Sequence, residues 1–427
     1  MNKIMILALG TLCSTAIHAQ QADTALSVDD VTRTESFLSS DAMRGRAVFT
    51  PDIDRAADFI AARFKAAGLI PMKGDSYFQP FSLLKVTQDQ VKASVDGKDL
   101  DPEQVVVETS VENLDWSSLE NIRVYAVDKD HGLAQGIQAF HKDSADMLLL
   151  LDSASTSLMR RYRRFLSSHF GEHHSLVALP YAGKPSAISI HIHSQITAKP
   201  LKNVVGVLPG KGKAGEYVIF SGHYDHLGVG QPDAKGDSIY NGANDDASGT
   251  TAVLTLAKYF GARHDNERTL VFAAFTAEEI GEYGSQYFAT QWDPSKVVAM
   301  FNIEMIGTTS KWGENSAYIT GYERTDFGKI LQKNLEGTGF QFYPDPYTTQ
   351  NLFYRSDNAS LAKVGVPAHT ISTSKMDSEP YYHKQGDEIG TLDMNNMTRI
   401  IRSIALSAAS IIQGADTPSR VDTRSLR

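Results

Sequence analysis

The stretch Tyr217-Val-Ile-Phe-Ser-Gly-His223-Tyr-Asp225-His226-Leu-Gly228 is an apolar, β-rich run that ends abruptly in an imidazole and, two residues on, a carboxylate. It reads as a buried strand whose C-terminal end delivers the chemistry. Similar runs recur at 269–275, 297–303, 317–320 and 367–372, and one precedes it at 204–208. Helical patterns at 248–260 and 327–335 fall between them. A closing helix over 394–412 carries Met397, Ile400, Ile401, Ile404, Ala408 and Ile411 as one apolar stripe, ended by Gly414. Strands alternating with helices predict an α/β fold with a mostly parallel (mixed) sheet covered by helices on both faces. Ligands in such sheets bind beyond the carboxyl ends of the strands.

Upstream, Ala56, Ile60, Phe64 and Ala67 lie at helical spacing and Gly68 closes the segment, as in a helix packed on that sheet. The texture changes between about 90 and 198. A strand pattern at 122–127, a helical pattern near 134–141 and the apolar run Met147 to Leu151 predict a small inserted α/β module. Within it Ile188, Ile190 and Ile192 alternate with Ser189, His191 and His193, the signature of a half-buried strand. His191 and His193 read as solvent-facing rather than metal-binding because no carboxylate or third ligand accompanies them, and His173 and His174 read the same way.

Residues 1–19 have the form of a secretory signal, with Lys3 as the positive start, 4–12 as the apolar stretch and Ala19 as the small residue at the cut. The expected layout is therefore a signal peptide at 1–19, the first part of the main domain at 20–89, the insert at 90–198, the main domain at 199–414 and a flexible C-terminal tail at 415–427. Export to the periplasm or the medium follows. The apolar stretch is shorter than the roughly 18–20 residues of a membrane span, and none is expected later. The only cysteine, Cys13, falls inside the signal, so neither disulfides nor thiolate ligands are expected in the mature chain. The formal charge is −9, and −10 without Lys3, which argues against nucleic-acid binding. The run Arg160, Arg161, Arg163, Arg164 reads as a solvated helix face.

The chemistry-bearing residues each follow an apolar run. Asn241-Gly-Ala-Asn-Asp245-Asp246-Ala-Ser-Gly249 is a glycine-framed loop opening a helix, where paired Asp can cap the free amides or place a carboxylate between two cations. Asp245 is assigned as the bridge and Asp246 as structural. Glu278 and Glu279 follow the strand at 269–275 directly, where exposed charge is unexpected unless used; pointing in different directions, one can ligate while the other reaches a water. Glu304 stands inside an apolar sequence, and a buried carboxylate needs a partner such as a metal. His383 lies in the polar, aromatic loop Glu379-Pro-Tyr381-Tyr382-His383. His223, Asp245, Glu279, Glu304 and His383 together are the ligand types of a paired metal site.

In order and content, His223-Tyr-Asp225, Gly242-Ala-Asn-Asp245-Asp246-Ala-Ser-Gly249, Ala277-Glu278-Glu279, Asn302-Ile-Glu304-Met and Tyr382-His383 resemble the M28 family of zinc-dependent exopeptidases, of the bacterial secreted aminopeptidase type. Leu38-Ser-Ser-Asp-Ala-Met-Arg-Gly-Arg46 resembles a stretch found in secreted members. The likeness spans about 25–85 and 200–412, while the insert resembles the protease-associated module only loosely. It implies the phosphorylase/hydrolase-like zinc exopeptidase fold and two Zn2+ ions. Asp245 would bridge them, His383 and Glu279 completing one site and His223 and Glu304 the other. Asp225 would orient His223, Glu278 would be the general base and Tyr382 a donor to the developing oxyanion. Many members have Asp where this chain has Glu304, which leaves room for another divalent metal, manganese or cobalt, in that site. Members often carry Ser-Asp-His where this chain has Ser356-Asp357-Asn358.

The implied function is an exported dizinc metallo-aminopeptidase that removes N-terminal residues from peptides through a metal-bridged water. A single-zinc glutaminyl cyclase, a carboxypeptidase of the same family and a noncatalytic binding module are the alternatives. Gly210-Lys-Gly212-Lys-Ala-Gly215 fits the dinucleotide glycine pattern, but a strand follows it, so it reads as a turn. Neither Gly-x-Ser-x-Gly nor His-Glu-x-x-His is present.

Overall fold

A computed structural model of the chain describes residues 26–426, except 128–131, 143, 153–162, 164–167 and 172–173. The signal-like segment at 1–19, with Cys13, lies outside the described residues, as do His173, Arg160, Arg161 and Arg164. The chain divides into two compact units, one running to Pro80 and resuming at Leu201–Arg427, the other Phe81–Pro200.

The larger unit is the α/β body the alternation predicts. Its strands are β1 (Ile188–Leu208, through its last residues), β2 (Lys213–His223), β3 (Arg268–Phe275), β4 (Val297–Ile303), β5 (Ser316–Ile319), β6 (Gln341–Pro344) and β7 (Ala368–Ser372). They lie side by side in the order β6-β5-β7-β4-β2-β3-β1. The pairs β3/β2, β2/β4, β4/β7 and β5/β6 are parallel, whereas β1 against β3 and β5 against β7 run antiparallel, so the sheet is mixed. Every residue of β3, β4 and β7 is buried. A parallel strand covered on both faces is largely apolar, which is why β3 and β4 read as hydrophobic runs, whereas β7 buries His369 and Thr370 by hydrogen-bonding them to Thr325 and Asn358.

Four helices, α1 (Val28–Leu38), α2 (Pro51–Ala66), α3 (Ser248–Arg263) and α4 (Met394–Ser407), share one core with Val218, Phe220, Phe272 and Phe301. The opposite face, with Ile219, Val271, Ala273 and Met300, packs on Phe288 and Leu361. Thr50 caps α2 and Pro51 opens it, while Asp393 caps α4. The expected helix over 394–412 is interrupted after Ser407 and resumes as Ala409–Ile412.

The smaller unit carries a sheet ordered Val106–Glu108, Leu176–Pro180, Met147–Leu151, Arg123–Val127, with the helix Leu133–Lys142. Its limits differ from the expected 90–198 because the long strands Phe78–Val95 and Ile188–Leu208 run through both boundaries without a break in pattern. Contrary to the expectation that no carboxylate accompanies them, His191 and His193 each meet one, Asp115 (2.7 Å) and Asp89 (2.6 Å), contributed by neighbouring strands, and both imidazoles lie on the exposed strand face. His174 bonds the Phe140 carbonyl.

The tail expected to be flexible is pinned. Arg268, only 1% exposed, donates to the Asp416 carbonyl and the Thr417 hydroxyl, Ser419 bonds Asp326, and Arg420 donates to the Val297 carbonyl. A buried guanidinium needs acceptors, and residues past 415 supply them. No helix among the described residues is long and apolar enough to cross a membrane.

Candidate metal centre

The strand ends deliver the predicted residues to one place. His223 is the last residue of β2, Asp245 stands in the turn Ala243–Ala247 that opens α3, Glu278 and Glu279 follow β3, Glu304 follows β4, and His383 comes from the loop after β7. Strain gathers here: Ala277, Met305 and His383 all have positive φ. Gly242, at φ 56, cannot be replaced, because a Cβ there would run into the Asp245 carbonyl and the His226 ring.

Two ligand groups share Asp245. The first is His223, Asp245 and Glu304, with His223 Nε2 3.2 Å from Asp245 Oδ1. In the second, His383 Nε2 lies 3.3 Å from Asp245 Oδ2 and 3.1 Å from Glu279 Oε2. Donors on a tetrahedral zinc at about 2.0 Å sit about 3.3 Å apart along each edge, so these separations fit a pair of ions on either side of Asp245. The donor chemistry agrees. Glu304 Oε2 is buried and has no hydrogen-bond partner, while the buried His223 Nε2 and Glu279 Oε1 face only other candidate ligand atoms, Asp245 Oδ1 at 3.2 Å and His226 Nδ1 at 2.6 Å.

Electrostatics point the same way. Desolvation would strip His223 of a proton, yet Glu278, Asp245 and Asp246 hold its pKa well above the ordinary imidazole value. For His383 desolvation is likewise overcome by Asp245 and Glu279, to about 10. Burial, reinforced by Glu304, Asp357 and Glu279 and opposed by His223, pushes the Glu278 carboxyl well up. Protons that surrounding carboxylates hold on these imidazoles stand where a cation would, and divalent metals displace such protons.

Several assignments need correction or refinement. Asp225 does not orient His223 through its carboxylate: His223 Nδ1 is 3.0 Å from the Asp225 backbone carbonyl and 3.8 Å from Oδ1. The carboxylate instead accepts the N–H groups of Glu278 (3.2 Å) and Glu279 (3.3 Å), because the turn leaving β3 presents two otherwise orphaned donors to it. Asp246 is structural, as assigned, accepting from His223 N, Gly249 N and Met305 N. Tyr382 stacks on His383 with ring centroids 3.9 Å apart and lines a cleft beside Glu304. Asn358 is fully buried and spends its amide on the Phe353 and Ala368 carbonyls, so it faces the core and not the cleft.

Three residues of the centre were not singled out from the sequence. His226 is buried with Nδ1 2.6 Å from Glu279 Oε1, closer than the ligand pairs, and belongs with Asp245 and Glu279 in the second group. It lies three residues past His223 and had no feature of its own to mark it. Asp387 accepts the N–H groups of Asn244 (2.8 Å) and Asp245 (3.0 Å), tying the His383 loop to the bridging residue. Arg46 reaches into the same loop from the N-terminal segment.

Residues 203–408 match the family model described as peptidase family M28. A "Probable zinc metalloprotease" of Pyrenophora teres f. teres is 37% identical over 111 residues, covering 26% of this chain and 23% of that protein. A "Probable leucine aminopeptidase" of Trichophyton verrucosum is 28% identical over 205 residues, 46% of this chain and 53% of that protein. The matches thus span about half or less of these curated relatives. Among solved structures, a zinc aminopeptidase from Bacillus subtilis shares the fold with TM-score 0.56 at 16% identity, covering 92% of this chain and 97% of that one. The segment that carries the metal-ligand motifs, 203–408, is the part of the chain that matches peptidase family M28.

Proposed function

We propose that the chain is an exported metallo-aminopeptidase holding two zinc ions, one at His223, Asp245 and Glu304 and the other at Asp245, Glu279 and His383. The observation that carries this reading is the sharing of Asp245 by two ligand groups, with Glu278 Oε2 only 3.9 Å from His223 Nε2. Zinc bound there supplies Lewis acidity and a water made acidic enough to yield hydroxide near neutrality. The likeness to fungal leucine aminopeptidases supports the aminopeptidase reading, the signal-like residues 1–19 support export to the periplasm or the medium, and peptides are the substrates.

The protein's own groups divide the remaining work. Glu278, raised by burial, takes the proton from the attacking water and returns it to the departing amine. Its backbone is held by the Asp225 carboxylate, so the base is fixed relative to β2 and His223. Tyr382, clamped on His383, faces the cleft as a hydroxyl donor to the developing oxyanion. Met305, Tyr318, Leu352 and Met376 give the cleft apolar walls suited to an apolar first side chain.

Glu278→Gln keeps the shape and removes the base. The variant is expected to retain its zinc while turnover of a free-amine peptide falls at least a hundredfold and an amino-acetylated peptide stays uncut by either protein. Unchanged kcat in the variant would remove Glu278 as the base. Equal cleavage of free and acetylated peptides would exclude an aminopeptidase, and a single equivalent of zinc would favour a cyclase.

A further inference from the structure

Arg46 stands far from the ligands in sequence and fully buried in the fold, and the reaction as described makes no use of it. It ends the short segment Asp41–Arg46 that connects α1 to α2. Its guanidinium donates to four carbonyls: Nε to Tyr224 at 3.0 Å, Nη1 to Leu38 at 2.6 Å and to Asn241 at 2.7 Å, and Nη2 to Gly242 at 3.0 Å. Tyr224 follows His223 directly, while Asn241 and Gly242 lead into the turn that carries Asp245. One planar, always charged group therefore joins the two backbones that must meet for His223 and Asp245 to share an ion.

The rest of the segment reinforces the joint. The Arg46 carbonyl accepts the His226 N–H at 3.3 Å, and Asp41 accepts the Asn241 side-chain amide at 2.9 Å. Gly45 threads so closely against Gly228 and Tyr240 that a Cβ would strike both carbonyls. From α1, Glu35 receives the Thr251 hydroxyl at 2.8 Å, one turn into the helix that Asp245 opens. Five hydrogen bonds thus join Asp41 and Arg46 to the segments 224–226 and 241–242 that flank His223 and Asp245.

Resting on the two-metal reading above, we propose that Arg46 is a positioning residue, and that docking of segment 39–46 and zinc binding at His223 and Asp245 form one linked equilibrium. Coupling of this kind is reciprocal: if a docked segment tightens zinc binding, zinc must by the same factor favour the docked segment. Residues that orient ligands typically change metal affinity ten- to a hundredfold.

The test uses the full chain with Zn2+ alone and reads no peptide cleavage. Calorimetric titration of Arg46→Lys, which keeps the charge but loses the planar fork, should give a zinc dissociation constant at least tenfold weaker than the parent, with its circular dichroism unchanged. Hydrogen exchange of the parent should slow at least tenfold at the amides of 41–46 on adding zinc. A folded Arg46→Lys that binds zinc within twofold of the parent overturns the proposal, as does exchange at 41–46 that ignores zinc. If the variant does not fold, the exchange measurement on the parent decides alone. A parent that binds zinc yet cleaves no peptide would sink the aminopeptidase reading and leave this one standing, whereas a parent that binds no zinc would sink both.

Discussion

Replacing Asp225 by Asn separates two roles that the residue could play. In the structure the carboxylate accepts the N–H groups of Glu278 and Glu279 at 3.2 and 3.3 Å, and His223 is oriented by the Asp225 backbone carbonyl, which the substitution leaves in place. A carboxamide offers one oxygen and one NH2 group, so one of the two N–H groups loses its acceptor and faces a donor. A hydrogen bond to a charged group is worth about 1.5–3 kcal/mol, and these two are long, which puts the loss at the lower end, about 2 kcal/mol. The loss falls on the turn that carries the base. At about 1.4 kcal/mol per factor of ten, turnover should drop ten- to a hundredfold while zinc content stays at two equivalents. Steady-state kinetics on a free-amine peptide paired with elemental analysis reads both quantities. Loss of one zinc equivalent with the remaining turnover normalised to metal unchanged would refute the reasoning, since it would mean that the carboxylate serves His223 after all.

Two further predictions concern stability. Burial pushes the Glu35 carboxyl from 4.5 up to about 8, against the pull of the Thr251 hydroxyl and Arg46. A raised folded-state pKa means that Glu35 supports the fold fully below about 4.5 and that this support is lost as pH rises through about 8. The parent should therefore lose stability relative to Glu35→Gln by on the order of a few kcal/mol between pH 5 and pH 9, read as urea midpoints; parallel curves would contradict the assignment. Deleting 416–427 removes acceptors from buried Arg268 and should cost about 2–4 kcal/mol, measured by urea unfolding, where a loose tail would cost nothing.

Much of this centre is legible from one chain because buried parallel strands leave an unmistakable pattern. Val297–Ile303 is legible to the residue, since a run apolar but for Asn302 and flanked by Lys296 and Glu304 admits one placement. His223, Asp245, Glu279 and Glu304 are legible because each breaks the pattern at a strand end or in a glycine-framed loop, where a polar group has to be explained, and His383, in a polar loop with no pattern to break, is legible only through the company of those four. The strand Gln341–Pro344 escaped because four residues at the sheet edge, three of them exposed or partly so, have no periodicity to read. The helix Tyr283–Ala289 was hidden for a related reason, being too short to show a face.

Other features depend on tertiary partners and leave no local trace. Which oxygen of Asp225 faces which donor is decided by the path of the turn after β3, and sequence spacing alone assigned the carboxylate to His223. Arg46 and Asp387 meet the Asp245 loop from 195 and 142 positions away, so no window of sequence contains both ends of those bonds. Nor does any local signal separate 415–427 from a loose terminus until Arg268 is seen to need its carbonyls.

The most direct test is an anomalous difference map, recorded at the zinc absorption edge, from crystals of the full chain grown with Zn2+. Two peaks about 3.5–4 Å apart are expected. One should lie between His223, Asp245 and Glu304, the other between His383, Asp245 and Glu279. A map with no peak between these residues, or with a single peak that leaves Asp245 bound on one side only, would contradict the two-metal centre on which the proposed reaction stands.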